Sequence, residues 1–600
     1  MNRLASFSPG VCRPNSRSAP FAFVLFACTA CAAPTFDFSE RWETPRRGMV
    51  VSEHPLATEA GVLILEQGGN AADAAVATAL ALCVVYPQAG NLGGGGFAIW
   101  VPHDTGEEPT VLDFRETAPA ELTAEHFVDE KGEFVPRRSL DGPLGVGVPG
   151  SPAGLFALQE EQGRLPFRKV IQPAIRLARE GFPVDPFLAR ALAQSRTRRR
   201  LLQGGMAGEV FYRGDKSPGA GEVLVQPQLA HALELFVERG PDVFYSGIIG
   251  QAIAESVQAE GGVLRAEDLT SYRVNSLSAL VGWFRGLEIL TVPPPSSGGV
   301  ALLQVLSMLD GFPLDEEREA AAARAVESGN PLPPGAAALS GRALHWWVEA
   351  MRLAFADRAE HLGDPRFVEV PLYDLLSPER ISRRRVSVGE LANPGVLPMQ
   401  VRARESNDTT HLSVLDSDGN ACSLTTTLNT SFGSGFMVPG YGFLLNNEID
   451  DFAILSGIPN TYGLIGGRAN AIEGGKRPLS SMTPTVIRDG GQVVRMVLGS
   501  PGGPRIISSV IQVILRKEVY QQSLADAVGA PRLHQQWNPP YTSLEEGWDP
   551  QLIQRLRDRH HEIRVVESKM GSVQAIFCEV GGDPVGVSDP RRSGSALAER

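Results

Sequence analysis

Asn407-Asp408-Thr409-Thr410-His411-Leu412-Ser413-Val414-Leu415-Asp416 runs through Ser417-Asp418-Gly419-Asn420 into Ala421-Cys422-Ser423-Leu424-Thr425-Thr426-Thr427-Leu428-Asn429. This is the pattern of a β-hairpin: an alternating strand, an Asp-Gly turn and a Thr-rich second strand. Leu412 and Val414 share one face of the first strand, and Thr409, His411 and Ser413 share the other. In the second strand Ser423, Thr425, Thr427 and Asn429 lie opposite Cys422, Leu424 and Leu428. Cross-strand partners must share a face, so loop length follows from the alternation. A two-residue loop at Asp418-Gly419 sets Thr409 against Leu428. A three-residue loop, Ser417 to Gly419, sets it against Thr427, keeps the polar faces together, and puts Gly419 at the left-handed position. The three-residue loop is the consistent reading. Its bland meaning is a half-buried Thr-rich strand pair; its chemical meaning is a hydroxyl patch around Thr409.

Outward from the hairpin, the 600 residues exceed what one core usually holds, so two domains or one large layered unit is expected. A net charge of −13 gives no footprint for nucleic acid or an anionic membrane surface. With ten His, no HExxH, no paired CxxC motifs and no EF-hand loop, neither a metal site nor a cofactor is expected. Arg3, Arg13 and Arg17 precede the apolar run from Pro20 to Ala33, too short to span a bilayer. Residues 1–33 therefore read as a secretory signal, implying a periplasmic or envelope-anchored protein. Leu25-Phe26-Ala27-Cys28 is like a lipoprotein cleavage box, with Cys31 as a second lipid-anchor candidate. The competing reading is a misassigned start and a cytosolic enzyme. Cys83, Cys422 and Cys578 sit in apolar runs as buried hydrophobes.

Gly48 to Ser52 reads as a short strand, Leu56 to Glu66 as a helix ended by Gly68-Gly69, and Asn70 as the N-cap of a buried helix to Val85. Gly90 to Phe97 is Gly-rich and runs into the strand Ala98 to Val101. Without Lys-Ser/Thr or a following helix it favours close backbone packing over a phosphate cradle. Thr110 to Phe114 is a strand with Arg115 at its exit, and 150–270 is mainly helical. Residues 311–340 read as an exposed insertion, Ala343 to Leu362 as an amphipathic helix, and 386–408 as a mobile lead-in to Thr409. Tyr441 to Phe452 reads as a strand running into an acidic turn, and Arg477 to Thr483 as a polar turn. Val493 to Leu498 is a strand followed by a helix from about Arg505.

No G-x-S-x-G elbow is present, and the few His suit no triad. Thr409 becomes a nucleophile if it becomes an N-terminus, because its own α-amine, with a pKa of about 7.7–8.0, is then the base. Gly502-Gly503 offers accessible N–H groups for an oxyanion.

The ordered motifs resemble the gamma-glutamyltransferase (glutathione hydrolase) family of N-terminal-nucleophile hydrolases. They are Gly68–Val76, Pro87–Phe97, Asp113–Pro119, Pro293–Gly299, Ala356-Asp357-Arg358, the Thr409 hairpin, Leu445–Phe452, Arg477–Pro484, Gly499–Gly503 and Ser588-Asp589-Pro590-Arg591-Arg592. The resemblance implies an α+β fold, a four-layer αββα sandwich. It implies self-cleavage between Asp408 and Thr409 into a heavy subunit, 34–408, and a light subunit, 409–600. It implies action on glutathione and other γ-glutamyl compounds, with water, an amino acid or a peptide as acceptor. By matching position, Thr427 assists the nucleophile and Gly502 and Gly503 form the oxyanion hole. Arg115 with Ser480 and Ser481 holds the substrate α-carboxylate, and Asn429, Glu448 and Asp451 hold its α-amine. Tyr462 closes a lid loop spanning Asp451 to Gly467. Asp357-Arg358 is taken as a structural ion pair or cap. Related cephalosporin and glutaryl acylases handle a side chain without the α-amine, so retention of Asn429, Glu448 and Asp451 argues against them. An unprocessed binding homologue is a further alternative. The 311–340 insertion and the segment from about 375 to 405 depart from the family pattern.

Overall fold

The hairpin has the register that its alternation predicts. Strands Thr409–Leu415 and Ala421–Thr427 pair antiparallel, with Thr409 opposite Thr427 and Leu415 opposite Ala421. Gly419 closes the three-residue loop at φ +92°, the left-handed conformation the turn requires. Both strands are buried along their whole length, not half-buried. The cause is their central place in a seven-stranded antiparallel sheet. Its order is Ser595–Ala598, Met49–Ser52, Thr409–Leu415, Ala421–Thr427, Gly95–Val101, Thr110–Asp113, Asn275–Ser278. The Gly run is where close approach is needed. A Cβ on Gly94 would stand 2.0 Å from the Thr427 carbonyl oxygen, and one on Gly96 2.2 Å from that of Thr425.

The structure is a computed structural model that describes residues 47–600 apart from 104–105, 205, 215, 330, 394–407, 491 and 580–581. The signal, Cys28, Cys31 and most of the 386–408 lead-in lie outside the described residues. The described residues form one compact unit. A second, six-stranded sheet runs Val585–Ser588, Gln574–Phe577, Val494–Gly499, Thr485–Arg488, Leu287–Thr291, Leu280–Phe284. Both sheets mix strands from before and after Asp408, so neither segment could build its own core.

Packing follows the alternation. Leu412, Val414, Cys422 and Leu424 face the helices Pro55–Glu66 and Ala71–Val85 in one apolar cluster. Asn70 caps the second of these helices in a reciprocal capping box with Asp73. Phe97, Ile99 and Leu415 pack on Leu290, Val486, Val497 and Ile576 of the second sheet. Met496, Ile487 and Ala575 cluster with the helices Gly298–Asp310, Gly341–His361 and Arg505–Glu518. The polar face of the hairpin is therefore closed between sheets, and its groups are satisfied there. Ser413 Oγ donates to the Gln574 carbonyl at 3.0 Å and Ser423 Oγ to that of Leu498 at 3.1 Å.

Three expectations change. Gly341–His361 is buried on almost every side rather than amphipathic, because its polar residues find partners in neighbouring elements: His345 meets His561, and Asp357 meets Arg380 and Arg384. The 441–452 stretch forms no strand: it is a loop stitched by single bridges, ending in a 3-10 turn at Glu448–Asp451. The 311–340 insertion is exposed but holds a helix, Leu314–Glu327, tethered through Arg318 to the Val519 carbonyl.

Candidate active site

Thr409 and Thr427 meet because their strands pair in that register. Their hydroxyl oxygens stand 3.2 Å apart. Thr427 Oγ1 also donates to the Asp408 carbonyl at 3.3 Å and accepts the Asn429 N–H at 3.0 Å. With one proton on each hydroxyl, the consistent assignment runs Thr409 O–H to Thr427, and Thr427 O–H to the Asp408 carbonyl. The Thr409 carbonyl is held at 3.1 Å by Arg592 Nη1, which also contacts Tyr86 and Glu53. Burial pushes Glu53 up to about 7, against the pull of Arg592.

Thr409 opens on a pocket. Its lining includes Arg115, Thr427, Asn429, Glu448, Asp451, Tyr462, Ser480, Ser481 and Gly503, residues drawn from widely separated motifs. Gly502 stands immediately beside them in the chain. One end of the pocket is ionic. Arg115, at the exit of Thr110–Asp113, pairs with Glu448 and with Asp451 at 2.7 Å, and Glu116 is 3.7 Å away. Burial opposes the charge on Arg115, but the carboxylates outweigh it and keep the guanidinium protonated. Three carboxyls around one cation leave excess negative charge in a dry site. Burial accordingly pushes Glu448 well above the carboxylate range and Glu116 up to about 7. Asn429 sits at φ +71°, with its amide donating to the Asn447 carbonyl at 2.8 Å.

The opposite wall is glycine and tyrosine. Gly502 and Gly503 have φ of +127° and +57°, in the turn that precedes the helix Arg505–Glu518. Tyr462 is buried against Gly503, and its hydroxyl donates to the Asn429 carbonyl at 2.7 Å. The loop carrying it is pinned across the pocket by this bond, by the Asn460 amide to Asp451 at 3.1 Å, by the Thr461 N–H to Asp450 at 2.9 Å and by the Gln536 amide to the Tyr462 carbonyl at 3.1 Å.

Two arginines lay beyond the sequence reading. Asp357 and Arg358 are not a pair. Asp357 takes Arg380, Arg384 and the Gln304 amide, whereas Arg358 turns to Ser297 and Ser481. Arg592 was visible only as part of a C-terminal motif. Consecutive helical residues point in different directions, so the two letters Asp-Arg carry no information about which partners each finds.

Comparison with known proteins agrees with this geometry. The family model described as "Gamma-glutamyltranspeptidase" matches residues 57–599. The glutathione hydrolase proenzyme of Escherichia coli strain K12 is 40% identical over 553 residues, covering 91% of this chain and 90% of that protein. Among solved structures, cephalosporin acylase from Bacillus halodurans superposes with a TM-score of 0.78 at 28% identity, covering 96% of this chain and 99% of that one. The gamma-glutamyltranspeptidase of Helicobacter pylori gives a TM-score of 0.51 at 36% identity over 58% of this chain and 94% of that one. A match spanning nearly the whole described chain, joined by a relative at 40% identity, settles the kinship: this chain belongs to the gamma-glutamyltranspeptidase family.

Proposed function

We propose that this chain is a self-cleaving γ-glutamyl hydrolase and transferase acting on glutathione and related γ-glutamyl amides. The observation that carries the reading is the pairing, in one pocket, of the Thr409–Thr427 hydroxyl contact with an end bearing both charges, Arg115 against Glu448 and Asp451. A γ-glutamyl group has the matching parts: an amide carbonyl at one end, and a carboxylate and an ammonium at the other.

Maturation begins at the Asp408–Thr409 bond. Thr409 Oγ1 attacks the Asp408 carbonyl carbon, whose oxygen already accepts from Thr427. The C–N bond breaks, a C–O ester forms, and the hydroxyl proton ends on the freed Thr409 amine. Water then opens the ester, leaving a carboxylate on Asp408 and a hydroxyl on Thr409. The free α-amine is now the base for that hydroxyl. Thr409 Oγ1 attacks the γ-amide carbonyl, and the oxyanion faces the N–H groups of Gly502 and Gly503. The amide C–N bond breaks as the leaving amine takes the proton, giving a glutamyl ester on Thr409. Water or an acceptor amine takes the glutamyl group and restores Thr409.

In this reading Arg115, Ser480 and Ser481 receive the α-carboxylate, Asn429, Glu448 and Asp451 the α-amine, and Tyr462 covers the bound group. The two segments, 34–408 and 409–600, remain together after cleavage, supported by their shared sheets. The helix–sheet–sheet–helix clustering supports a four-layer αββα sandwich. The basic and apolar character of 1–33 supports export, with lipidation at Cys28 or Cys31 testable by fatty-acid labelling.

The test is a denaturing gel and two substrates. Wild type should run as two chains and Thr409→Ala as one. Wild type should also cleave a γ-glutamyl anilide in preference to a glutaryl anilide. The fold likeness to a cephalosporin acylase makes glutaryl amides the second reading, and a marked glutaryl preference would select it. A wild-type chain that never splits would leave an unprocessed binding protein.

A further inference from the structure

Arg358 is buried, 4% exposed, in the last turn of Gly341–His361. It makes no ion pair among the described residues. Its neighbour Asp357, the obvious counter-charge, is consumed by Arg380 and Arg384. Instead Nε donates to Ser297 Oγ at 2.9 Å and Nη2 to Ser481 Oγ at 3.3 Å. Burial pulls Arg358 down to about 10, with Asp451 in part offsetting and Arg115 adding to the fall. A guanidinium held only by hydroxyls in a dry site is costly, and a nearby anion relieves that cost.

The two contacts lead to the pocket. Ser297 Oγ accepts from Arg358 and donates to the Ser480 carbonyl at 2.6 Å, while Ser297 N–H donates to the same oxygen at 2.8 Å. Ser480 Oγ accepts the Met482 N–H at 3.0 Å. Both pocket serines therefore accept from protein N–H groups, which leaves each O–H proton to be donated elsewhere. Both hydroxyls belong to residues lining the pocket. Arg115, in contrast, already spends its guanidinium on Glu448 and Asp451.

We propose that Arg358 is a positioning residue for the substrate α-carboxylate, acting through Ser481 and, by way of Ser297, through Ser480. It fixes the Ser481 hydroxyl as a donor, holds the Ser480 backbone carbonyl through Ser297, and supplies, from behind both serines, a positive charge not neutralised by a protein carboxylate. The proposal deepens the γ-glutamyl reading and rests on it.

The experiment compares wild type, Arg358→Gln, Arg358→Lys and Ser297→Ala, each checked for two chains on a denaturing gel. Loss of the guanidinium behind the two serines should raise KM for a γ-glutamyl anilide by about tenfold to a hundredfold in Arg358→Gln, with kcat changed far less. Arg358→Lys should recover part of that rise. Inhibition by L-glutamate should weaken by a similar factor, whereas inhibition by 4-aminobutyrate, which lacks the α-carboxylate, should not move. A merely structural role would weaken both inhibitors alike, and that result overturns the proposal, as does an unchanged KM. Should Arg358→Gln fail to process, Ser297→Ala carries the same inhibitor comparison, since it cuts the relay to Ser480 and leaves the pocket lining intact. If wild type prefers a glutaryl anilide, the γ-glutamyl reading falls by itself. Arg358 is then judged on KM for the glutaryl carboxylate, and an unchanged value in the variants overturns it there too.

Discussion

Thr427 Oγ1 stands between the nucleophile and the bond to be broken, 3.2 Å from Thr409 Oγ1 and 3.3 Å from the Asp408 carbonyl oxygen. One hydroxyl thus serves both partners of the maturation step. Thr427→Val keeps the shape and removes this bridge. Each lost hydrogen bond is worth about 0.5–1.5 kcal/mol, so the precursor should split about tenfold to a hundredfold more slowly. Thr427→Ser should restore most of the rate. Densitometry of the intact chain against time reads the outcome, and an unchanged rate in Thr427→Val would remove Thr427 from the mechanism.

Glu448 divides the two candidate substrate classes. Glu448→Gln keeps the side-chain volume and removes the carboxyl that an incoming ammonium would hold ionised against the pull of burial. KM for the γ-glutamyl anilide should rise about tenfold or more, the worth of a charged hydrogen bond. KM for the glutaryl anilide, which has no ammonium, should stay or fall. Parallel steady-state assays decide it; equal rises for both substrates would mean that Glu448 only neutralises Arg115.

Gly503 combines a left-handed backbone, φ +57°, with a Cβ position 3.1 Å from the Tyr462 ring. Gly503→Ala therefore meets backbone strain of roughly 1–2 kcal/mol and presses on the lid tyrosine. A misdirected oxyanion N–H should lower kcat about a hundredfold, with KM changed much less. A fall in KM-linked binding with kcat intact would place Gly503 in the lid support rather than the oxyanion hole.

His411 lies between the sheets, bonded to Thr425 and Ser413 and facing Gly499. Burial lowers it to about 3 from an ordinary 6.5, so it stays neutral and is no acid–base catalyst. Between those values the unfolded chain binds the extra proton. Stability from His411 is therefore present above pH 6.5 and falls as pH drops toward 3, by up to about 1.4 kcal/mol per pH unit. His534 and His561 act in the same sense, while Glu53 and Glu116, raised to about 7, lose stability as pH rises from about 4.5 to 7. The difference between wild type and His411→Asn isolates one group. Denaturant midpoints from pH 6.5 down to 4 should fall less steeply in the variant, and parallel slopes would contradict the buried-neutral assignment.

Period and turn chemistry alone determined the hairpin, its three-residue loop and the Thr409–Thr427 register, because a one-residue slip would have turned every Leu and Val outward. They also determined the capped helix Ala71–Val85 and the tight packing of Gly94 to Gly96. The family motifs added Arg115, Asn429, Glu448, Asp451, Tyr462, Ser480 and Ser481, and all seven line one cavity with Thr409, Thr427 and Gly503. Tertiary structure alone decided three things. The hydroxyl face of the hairpin is covered by a second sheet, since strand alternation says which residues share a face but not what packs on it. The loop at 441–452 is no strand, because its backbone finds single bridges to Gly93 and Met437 instead of a ladder. And Arg358 answers to Ser297 and Ser481 rather than to the aspartate beside it: side-chain partners across hundreds of residues are set by how the sheets and helices close, and no local spacing records that closure.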